Sequence, residues 1–277
     1  MATNAAALGR PPAARPTTTI SARKSSFLAD LWAVAVRALR ALPREPEMVI
    51  PSLIIPIFFF AVNLGSLEKF AELGIPGLDF RAFQLPTAIV FAVTGVSRAN
   101  ALVTDIQSGY FDRMLMTPMR RLSLLLGLMI ADLALVMALS LPVLVLGFAV
   151  GVRFETGILG VLVFVLLAGF WALAFTGFPY AIALKTGSPG AVGASFILFF
   201  PFAFLTTATL PLEALTGWLA AIARFNPMTY LLAALRSLLY GGWQWRPILE
   251  GTLAIAVVAV FSMALALATL RGRVARG

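Results

Sequence analysis

Two ionisable residues, Arg98 and Asp132, lie inside long apolar stretches of the sequence. An ionisable side chain in hydrocarbon is costly unless it is paired, so it marks either a structural ion pair or an ion pathway. At about 1.5 Å per helical residue, Arg98 lies about 10 Å before Asp105, and Asp132 lies about 15 Å after Leu122. Adjacent antiparallel helices would bring the two to similar depth, and we expect them to pair directly or through Asn100 or a water molecule. The alternative is that Arg98 extends to the interface and Asp132 faces a wet cavity.

Most residue types that carry catalysis are absent from the chain. It contains no Cys and no His, which excludes thiol nucleophiles, imidazole bases and Cys/His zinc sites. No G-x-x-x-x-G-K-[ST], H-E-x-x-H or G-x-S-x-G motif occurs, and no apolar segment carries a pair of carboxylates. We therefore predict no catalytic residue, no metal site, no cofactor and no enzymatic activity in this chain. Any ATP chemistry must take place on another polypeptide.

The composition predicts that these residues are positioned by membrane-spanning helices. Of 277 residues, 60% are hydrophobic and only 12% are charged, whereas a soluble domain has about 25% charged residues. A spanning helix needs about 20 predominantly apolar residues. The fold class expected is therefore an all-α polytopic membrane protein with six transmembrane helices, at residues 48–67, 83–103, 122–150, 157–184, 191–210 and 248–270.

The distribution of Lys and Arg predicts the orientation. With the N-terminus in the cytoplasm, 14 of the 21 basic residues lie inside and six outside, and Arg98 lies within a span. Cytoplasmic segments of membrane proteins carry an excess of Lys and Arg. We therefore predict that both termini are cytoplasmic. The net charge of +9 then reflects orientation and anionic headgroups rather than nucleic acid.

The sequence divides into four regions. Residues 1–25 are rich in Ala, Pro, Thr and Arg and contain no acid, which predicts a disordered cytoplasmic tail; an organellar transit peptide is the alternative. Residues 26–46 form an amphipathic helix, residues 47–271 the six-span permeation domain, and residues 272–277 a basic cytoplasmic tail.

The amphipathic helix should begin at Phe27 and end before Pro46. One helical face collects Leu28, Leu31, Trp32, Ala35, Leu39 and Leu42, and the opposite face collects Asp30, Arg37, Arg40 and Arg44. This pattern predicts a helix in the cytoplasmic interface, with Trp32 at headgroup depth and Arg37, Arg40 and Arg44 on anionic lipid or a partner. The alternative is a soluble surface helix with a packed face.

The loop between the second and third spans carries apolar side chains on the cytoplasmic side. Aromatic residues and Met are common anchors of protein interfaces. We therefore expect the loop to dock on a partner, and the alternative is a turn folded back on its own span ends. The residues assigned to this docking loop are Gly109, Tyr110, Phe111, Asp112, Arg113, Met114, Leu115, Thr117 and Pro118.

Two short helical pieces, residues 211–225 and 227–240, lie between the fifth and sixth spans. Asn226-Pro227 is a helix start signal. Each piece is too short to cross a bilayer, which predicts an extracellular re-entrant hairpin. The residues that mark it are Pro211, Trp218, Asn226, Pro227, Tyr230 and Arg236.

The loop and the hairpin together resemble the ABC-type exporter permeases of the second family, and most closely the daunorubicin-resistance permease branch. The loop resemblance rests on the run from Gln107 to Pro118, and the C-terminal one on Leu210-Pro211, Trp218-Leu219, Phe225-Asn226-Pro227-Met228-Thr229-Tyr230, Arg236 and Gly241. With the six-span layout, the resemblance covers about residues 27–270.

This resemblance implies a permease of a bacterial cell membrane that works as a homodimer or heterodimer. Two separate ABC ATPase subunits, which carry ATP and Mg, would drive export of a hydrophobic or amphipathic drug or lipid. The N-terminal helix and the 104–118 loop would contact the ATPase, and membrane lipid would surround the permease.

Two other functions remain open on the residues alone. An ion-coupled secondary transporter or channel would need no ATPase, and Asp132 would be its mid-membrane ionisable group. A membrane acyl- or glycosyltransferase is disfavoured by the lack of His and of paired acids. Aromatic residues in the spans could line an apolar substrate route or serve as packing and lipid contacts; they are Phe58, Phe59, Phe60, Phe170, Trp171, Phe199, Phe200, Phe202 and Phe204.

The predicted topology can be tested by labelling, because the chain contains no native Cys. A single Cys in place of Glu72 or Glu155 should react with a membrane-impermeant maleimide added outside intact cells. A Cys in place of Ser108, Gly187 or Val274 should react only after the cells are permeabilised. External labelling at position 108 would overturn the topology.

Overall fold

A computed structural model describes residues 26–41, 46–75, 77–94, 96–116 and 121–274. These residues form helices and no strand, as the all-α prediction requires. The tail 1–25, Arg44, Thr117, Pro118 and the last three residues lie outside the described residues. The helices are α1 Phe27–Ala41, α2 Pro46–Gly74, α3 Phe80–Val93, α4 Ala99–Gln107, α5 Tyr110–Leu115, α6 Arg121–Ala149, α7 Gly157–Thr186, α8 Pro189–Ala194, α9 Phe199–Phe204, α10 Gly217–Phe225, α11 Pro227–Arg236 and α12 Trp245–Val274.

Four helices of the described part are long and apolar enough to cross a membrane. They are α2, α6, α7 and α12, and their apolar stretches run over Val49–Lys69, Leu125–Ala149, Gly157–Thr186 and Trp245–Arg273. These helices contain the predicted first, third, fourth and sixth spans. The other two predicted spans are present as shorter apolar helical segments, Phe80–Val93 and Pro189–Phe204.

The second predicted span is not one continuous helix. Helix α3 ends at Val93, Thr94 takes extended backbone angles (φ −79°, ψ 130°), and α4 begins at Ala99. The break is enclosed by the bundle, since Thr94 is 2% exposed and Arg98 is 3% exposed. Trp171 of α7 donates its indole N–H to Thr94 Oγ1 at 3.0 Å. Irregular backbone at membrane depth is tolerated where protein surrounds it in this way.

The fifth predicted span, residues 191–210, is helical only as far as Phe204. It consists of α8, a 3₁₀ turn over Ser195–Leu198 and α9. Thr206 ends the helical segment, because its hydroxyl donates to Ala203 O at 2.8 Å and accepts from Ala208 N–H at 3.1 Å. Such local side-chain bonds offer the backbone an alternative to the helical ladder.

The segment between the fifth and sixth spans is less helical than the sequence predicts. Its first piece is a 3₁₀ turn over Leu212–Ala214 followed by the nine-residue α10, and its second is α11 followed by a π-helical turn over Ser237–Gly241. The apolar side chains Trp218 and Ile222 of α10 are exposed, at 69% and 41%. The apolar side chains Leu231, Leu232 and Leu235 of α11 are fully buried, and this helix packs against α12 and α3.

Glycines allow the helices to approach closely at three crossings. A Cβ at Gly127 of α6 would lie 2.7 Å from Val34 Cβ of α1, and one at Gly177 of α7 would lie 2.7 Å from the Ser262 carbonyl carbon of α12. A Cβ at Gly251 of α12 would lie 2.6 Å from Ala234 Cβ of α11. Small residues are typical of helix contacts in membranes, where van der Waals packing replaces the hydrophobic drive.

The α7–α12 contact generates a stability prediction with a matched control. Gly177→Ala should lower the stability by about 1–3 kcal/mol, because the methyl group overpacks the contact with Ser262. Gly193→Ala should be neutral or slightly stabilising, since no described atom outside its own helix turn lies within 4 Å of the new Cβ and Ala favours a helix over Gly. Thermal unfolding of both variants in detergent tests this difference, which equal melting temperatures would contradict.

Candidate functional site

Helix α1, for which the sequence predicts a place in the membrane interface, packs against α6 of its own chain. Its packed stripe is Asp30, Val34, Ala35 and Ala38, so Asp30 is buried although the helical projection groups it with the arginines. Trp32 of the predicted apolar face is 64% exposed. The helix therefore has a packed face, as in the alternative interpretation, and also an exposed apolar flank of the kind that an interface helix presents to lipid.

The polar face of α1 is bonded to the end of α4. Arg37 Nη2 lies 2.8 Å from Asp105 Oδ2, and Nη1 lies 3.5 Å from Oδ1, which is a two-point contact. The Arg37 guanidinium also lies 5.0 Å from the centre of the Tyr110 ring. The hydrogen bond to Asp105 raises the pKa of Arg37, and partial burial opposes it. The residue assigned to lipid or a partner thus has an acid of its own chain as its first contact.

Helix α5 folds back onto the body of the protein. Gly109 takes a left-handed conformation (φ 69°) that turns the chain between α4 and α5. Phe111 is then fully buried and Met114 is 9% exposed, both in an apolar cluster with Leu184 and Leu270. The burial of these two side chains agrees with the alternative interpretation, in which the loop folds back on the ends of its own spans. In this conformation neither side chain is available to a partner.

The exposed side chains of the loop are different ones. Tyr110 is 39% exposed and Met116 is 80% exposed, and Asp112 and Arg113 also face outward. Arg113 donates to the carbonyl oxygens of the turn, with Nη2 at 3.3 Å from Ser108 O. Any partner of this loop would therefore contact a mixed surface of an aromatic ring, a thioether and two opposite charges.

The loop is also bonded to the C-terminal ends of α7 and α12. Gln107 Nε2 donates to Gly187 O at 2.9 Å. Arg273 Nη1 donates to Leu184 O at 3.1 Å, and its guanidinium lies 5.9 Å from the centre of the Phe111 ring. Contacts from α1, α7 and α12 thus converge on α4 and α5. We call the residues Arg37, Asp105, Gln107, Tyr110, Phe111 and Arg273 the cytoplasmic cluster, after the side of the membrane that the sequence predicts for them.

Arg98 and Asp132 are brought together by a buried network. The backbone N–H of Arg98 donates to Asp132 Oδ1 at 3.1 Å, and Tyr180 Oη donates to Asp132 Oδ2 at 2.7 Å. Arg98 Nη1 donates to Ala38 O near the C-terminus of α1 at 2.6 Å. Asp132 is 0% exposed, so it does not face a wet cavity. The network connects α1, the α3–α4 break, α6 and α7.

Sequence reasoning missed Tyr180, and a signal for it was present. It is the one tyrosine within the six predicted spans, and a buried tyrosine hydroxyl usually finds a hydrogen-bond partner. When one apolar helix carries a single carboxylate, a tyrosine in a neighbouring apolar helix is therefore a candidate hydrogen-bond donor to it.

At the opposite end of the molecule, Arg236 of α11 joins three segments. Its Nε donates to Phe83 O at 3.1 Å, and its Nη2 donates to Thr207 O at 2.8 Å and to Thr87 Oγ1 at 3.3 Å. The guanidinium carbon lies 3.5 Å from the centre of the Phe83 ring. Arg236 is 5% exposed, so this is a buried cation held by neutral oxygens and an aromatic face.

Asn226 caps two helices at once. Its Oδ1 accepts from Met228 N–H at 3.0 Å at the start of α11, as the Asn-Pro signal predicts. Its Nδ2 donates to the free carbonyl groups at the end of α9, with distances of 3.1 Å to Phe202 O and 2.9 Å to Leu205 O. Tyr230 Oη donates to Arg224 O at 2.6 Å, which holds α10 beside α11. Pro227 occupies the first position of α11, and Pro211 precedes the 3₁₀ turn.

An apolar groove of about 430 Å³ lies between α2, α3 and the α8–α9 segment. Four of the aromatic residues singled out in the sequence line it: Phe59, Phe199, Phe200 and Phe204. The others lie elsewhere, since Trp171 is fully buried in the core and Phe58 and Phe170 point outward at 62% and 45% exposure. The groove is the part of the described structure that best fits a hydrophobic ligand.

Comparison with known proteins agrees with this architecture. Residues 29–240 match the family model described as "ABC-2 type transporter". The chain is 30% identical over 249 residues to the daunorubicin resistance ABC transporter permease protein DrrB1 of Streptomyces coeruleorubidus, covering 86% of this chain and 83% of that protein. It is 24% identical over 243 residues to the probable doxorubicin resistance ABC transporter permease protein DrrC of Mycobacterium tuberculosis, covering 86% and 88%. A putative transport permease, ycf38 of Cyanophora paradoxa, is 25% identical over 228 residues, covering 79% and 77%.

The buried network generates a double-mutant prediction. Tyr180→Phe and Asp132→Asn should each lower thermal stability in detergent, because each removes or weakens a buried hydrogen bond. The double variant should lose less than the sum of the two, with a coupling of about 0.5–3 kcal/mol. Tyr240→Phe is the matched control, since Tyr240 is 42% exposed and should tolerate the change. Strictly additive losses would contradict the shared bond.

Proposed function

The chain belongs to the ABC-2 type transporter family, and we propose that it is the permease subunit of an ATP-driven exporter whose ATPase is a separate polypeptide. The permease itself supplies the membrane path. It lacks a phosphate-binding loop, so energy has to arrive through a protein contact on the cytoplasmic side. In this proposal two ATPase subunits bind a pair of permease chains, either identical or different, within a cell membrane.

The observation that carries this proposal is the convergence of α1, α4, α5, α7 and α12 at the cytoplasmic cluster. Arg37 couples α1 to Asp105 and to Tyr110, and Gln107 couples the same helix end to α7. A displacement of α5 by a docked ATPase would therefore move α1 and α4 together. Arg98 contacts the C-terminal carbonyls of α1 and lies at the α3–α4 break, which extends the connection into the membrane region.

The surface proposed for the ATPase contact is the exposed side of the loop. It comprises Tyr110, Asp112, Arg113 and Met116; Thr117 and Pro118, which follow in the sequence, lie outside the described residues. Arg40, which follows Arg37 by three residues in α1, is also exposed. In this proposal it contacts either anionic lipid or the ATPase. Exposed aromatic, Met and Arg side chains are the residue types that protein interfaces favour.

An ion-coupled carrier is less well supported than an ATP-driven one. Such a mechanism would need Asp132 to exchange protons or ions with water. Both of its carboxylate oxygens accept hydrogen bonds, from Arg98 N–H and Tyr180 Oη, and its side chain is fully buried. These contacts favour a structural carboxylate.

The substrate in this proposal is a hydrophobic or amphipathic drug or lipid. The apolar groove between α2, α3 and α9 is large enough for part of such a molecule. Two of the similar permeases carry the names daunorubicin and doxorubicin resistance, which supports a drug as the substrate. The further proposal of a re-entrant hairpin formed by α10 and α11 would close the outer end of this route.

The ATPase contact can be tested on the tagged chain purified from its own host in mild detergent. Met116→Asp should weaken the complex about tenfold or more, because it places a charge in an interface anchor. Leu73→Asp is the control, since Leu73 is 78% exposed, like Met116 at 80%, but lies at the far end of α2. The measurement is the amount of co-purified ATPase and its Mg-ATP hydrolysis.

Two further outcomes make this test decisive. Phe111→Asp should reduce the amount of folded permease itself, since it buries a charge in the chain's own core, and so it does not report on docking. Normal ATPase recovery with both Met116→Asp and Asp112→Arg would contradict the assigned surface. Absence of any ATPase from the wild-type preparation would contradict the proposed function.

A further inference from the structure

The C-terminal end of α7 is held by side chains from two other helices. Arg273 of α12 donates from Nη1 to Leu184 O at 3.1 Å, and Gln107 of α4 donates from Nε2 to Gly187 O at 2.9 Å. The last carbonyl groups of a helix have no partner within the helix and carry a partial negative charge. The guanidinium of Arg273 therefore satisfies one of these carbonyls and also stabilises the helix end electrostatically.

Arg273 also contacts the buried part of the docking loop. Its guanidinium carbon lies 5.9 Å from the centre of the Phe111 ring, which is within the range of a cation–π contact. Phe111 is fully buried and shares an apolar cluster with Leu184 and Leu270. Leu270 precedes Arg273 by one turn of α12, so the two lie on the same face of that helix. Phe111 thus packs with the ends of both α7 and α12.

The two helices that Arg273 joins are in close contact along the bundle. Ser262 Oγ of α12 donates to a backbone carbonyl of α7, and Gly177 of α7 lies directly opposite Ser262. Helix α12 also packs closely on α11 at Gly251. At the start of α11, Asn226 binds the carbonyls at the end of α9, and α9 forms one wall of the apolar groove. We therefore expect a displacement of α12 to reach this wall.

From these contacts we propose that Arg273 is a positioning residue, which transmits a displacement of the docking loop to α7 and α12 and through them to the apolar groove. The connection differs from the one through Arg37, because Phe111 and Leu184 are buried and a docked protein cannot replace their contacts with its own. This inference rests on the proposed export function, and it names the residue of the permease that links ATPase docking to the substrate route.

The test uses a single Cys at the groove wall as a reporter, in a chain that has no native Cys. Phe204→Cys places this reporter at the end of α9, where the native side chain is 54% exposed. Its rate of reaction with N-ethylmaleimide is measured on the permease–ATPase complex in lipid nanodiscs, without nucleotide and after trapping with Mg-ATP and vanadate. Trapping should change this rate when the rest of the chain is wild type. An unchanged rate would overturn the proposal.

Three substitutions in the reporter chain assign the response to Arg273. Arg273→Gln should reduce the ATP-dependent change in rate about tenfold, which corresponds to the loss of one hydrogen bond from a charged group. Arg273→Lys keeps a cation that can donate to Leu184 O and should retain most of the response. Arg271→Gln is the matched control, since Arg271 lies in the same last turn of α12 and is exposed. A normal response in Arg273→Gln would overturn the proposal.

A purely structural role of Arg273 would give a different result. Arg273→Gln would then lower the melting temperature and the amount of co-purified ATPase, and the complex that remains would respond normally. In the proposal this variant retains ATPase co-purification, because Arg273 lies outside the exposed surface assigned to that contact. Phe111→Leu, which removes the ring but keeps an apolar side chain, should also reduce the response. Combining it with Arg273→Gln should reduce the response no further, and additive losses would contradict transmission through Phe111.

Failure of this inference is distinguishable from failure of the proposed function. If ATPase accompanies the wild-type chain and the Arg273→Gln reporter responds normally, the inference alone fails. If no ATPase accompanies the wild-type chain, the function proposed above fails. A double-mutant cycle of thermal stability with Arg273→Gln and Phe111→Leu, measured on the permease alone, then still decides whether these two side chains interact.

Discussion

The fold depends on how backbone groups released at two helix breaks are satisfied within the membrane region. An N–H or C=O group without a partner costs several kcal/mol in hydrocarbon, and both breaks release several. At the first, Asp132 accepts from the backbone N–H of Arg98, and Trp171 holds the break in place by donating to the side-chain hydroxyl of Thr94. At the second, Asn226 binds the carbonyls at the end of α9 and Arg236 binds Thr207 O. Irregular backbone beside them therefore explains the buried positions of Asp132, Asn226 and Arg236.

This dependence explains which parts of the fold could be predicted from the sequence. The long helices α2, α6, α7 and α12 follow from hydropathy alone, because about 20 apolar residues in a bilayer have few alternatives to a helix. The breaks at residues 94–98 and after Phe204 could not be predicted this way, since each is short and the apolar residues on both sides keep the hydropathy of a window of about 20 residues high. The sequence identifies Arg98 and Asp132 as partners. It does not show that Asp132 accepts a hydrogen bond from the backbone N–H of Arg98.

The loop and the interfacial helix show a second limit of prediction from pattern. An apolar side chain on a cytoplasmic loop can face a partner or its own chain, and periodicity is the same in both cases. The left-handed turn at Gly109 reverses the chain, so that Phe111 faces its own protein and is buried. In α1 the close approach to Gly127 sets which side of the helix meets α6, and that side carries Asp30 and Val34, which are therefore buried. Both outcomes depend on tertiary contacts that no single segment encodes.

The strengths of the contacts at the two ends of the molecule suggest where a conformational change can occur. The Arg37–Asp105 pair is partly exposed, with 42% and 17% of the side chains accessible, and an ion pair of that kind contributes about 0–1 kcal/mol. Asp132 accepts two buried hydrogen bonds and Arg236 donates to buried neutral oxygens, and a hydrogen bond to a charged group contributes about 1.5–3 kcal/mol. A docked protein could therefore exchange the Arg37–Asp105 pair for contacts of its own with little loss, while Arg98 still joins α1 to the start of α4 through Ala38 O. The α3–α4 break itself is strongly held, because Asp132 binds the Arg98 N–H there, and α3 is fixed to α11 through Arg236 and Phe83.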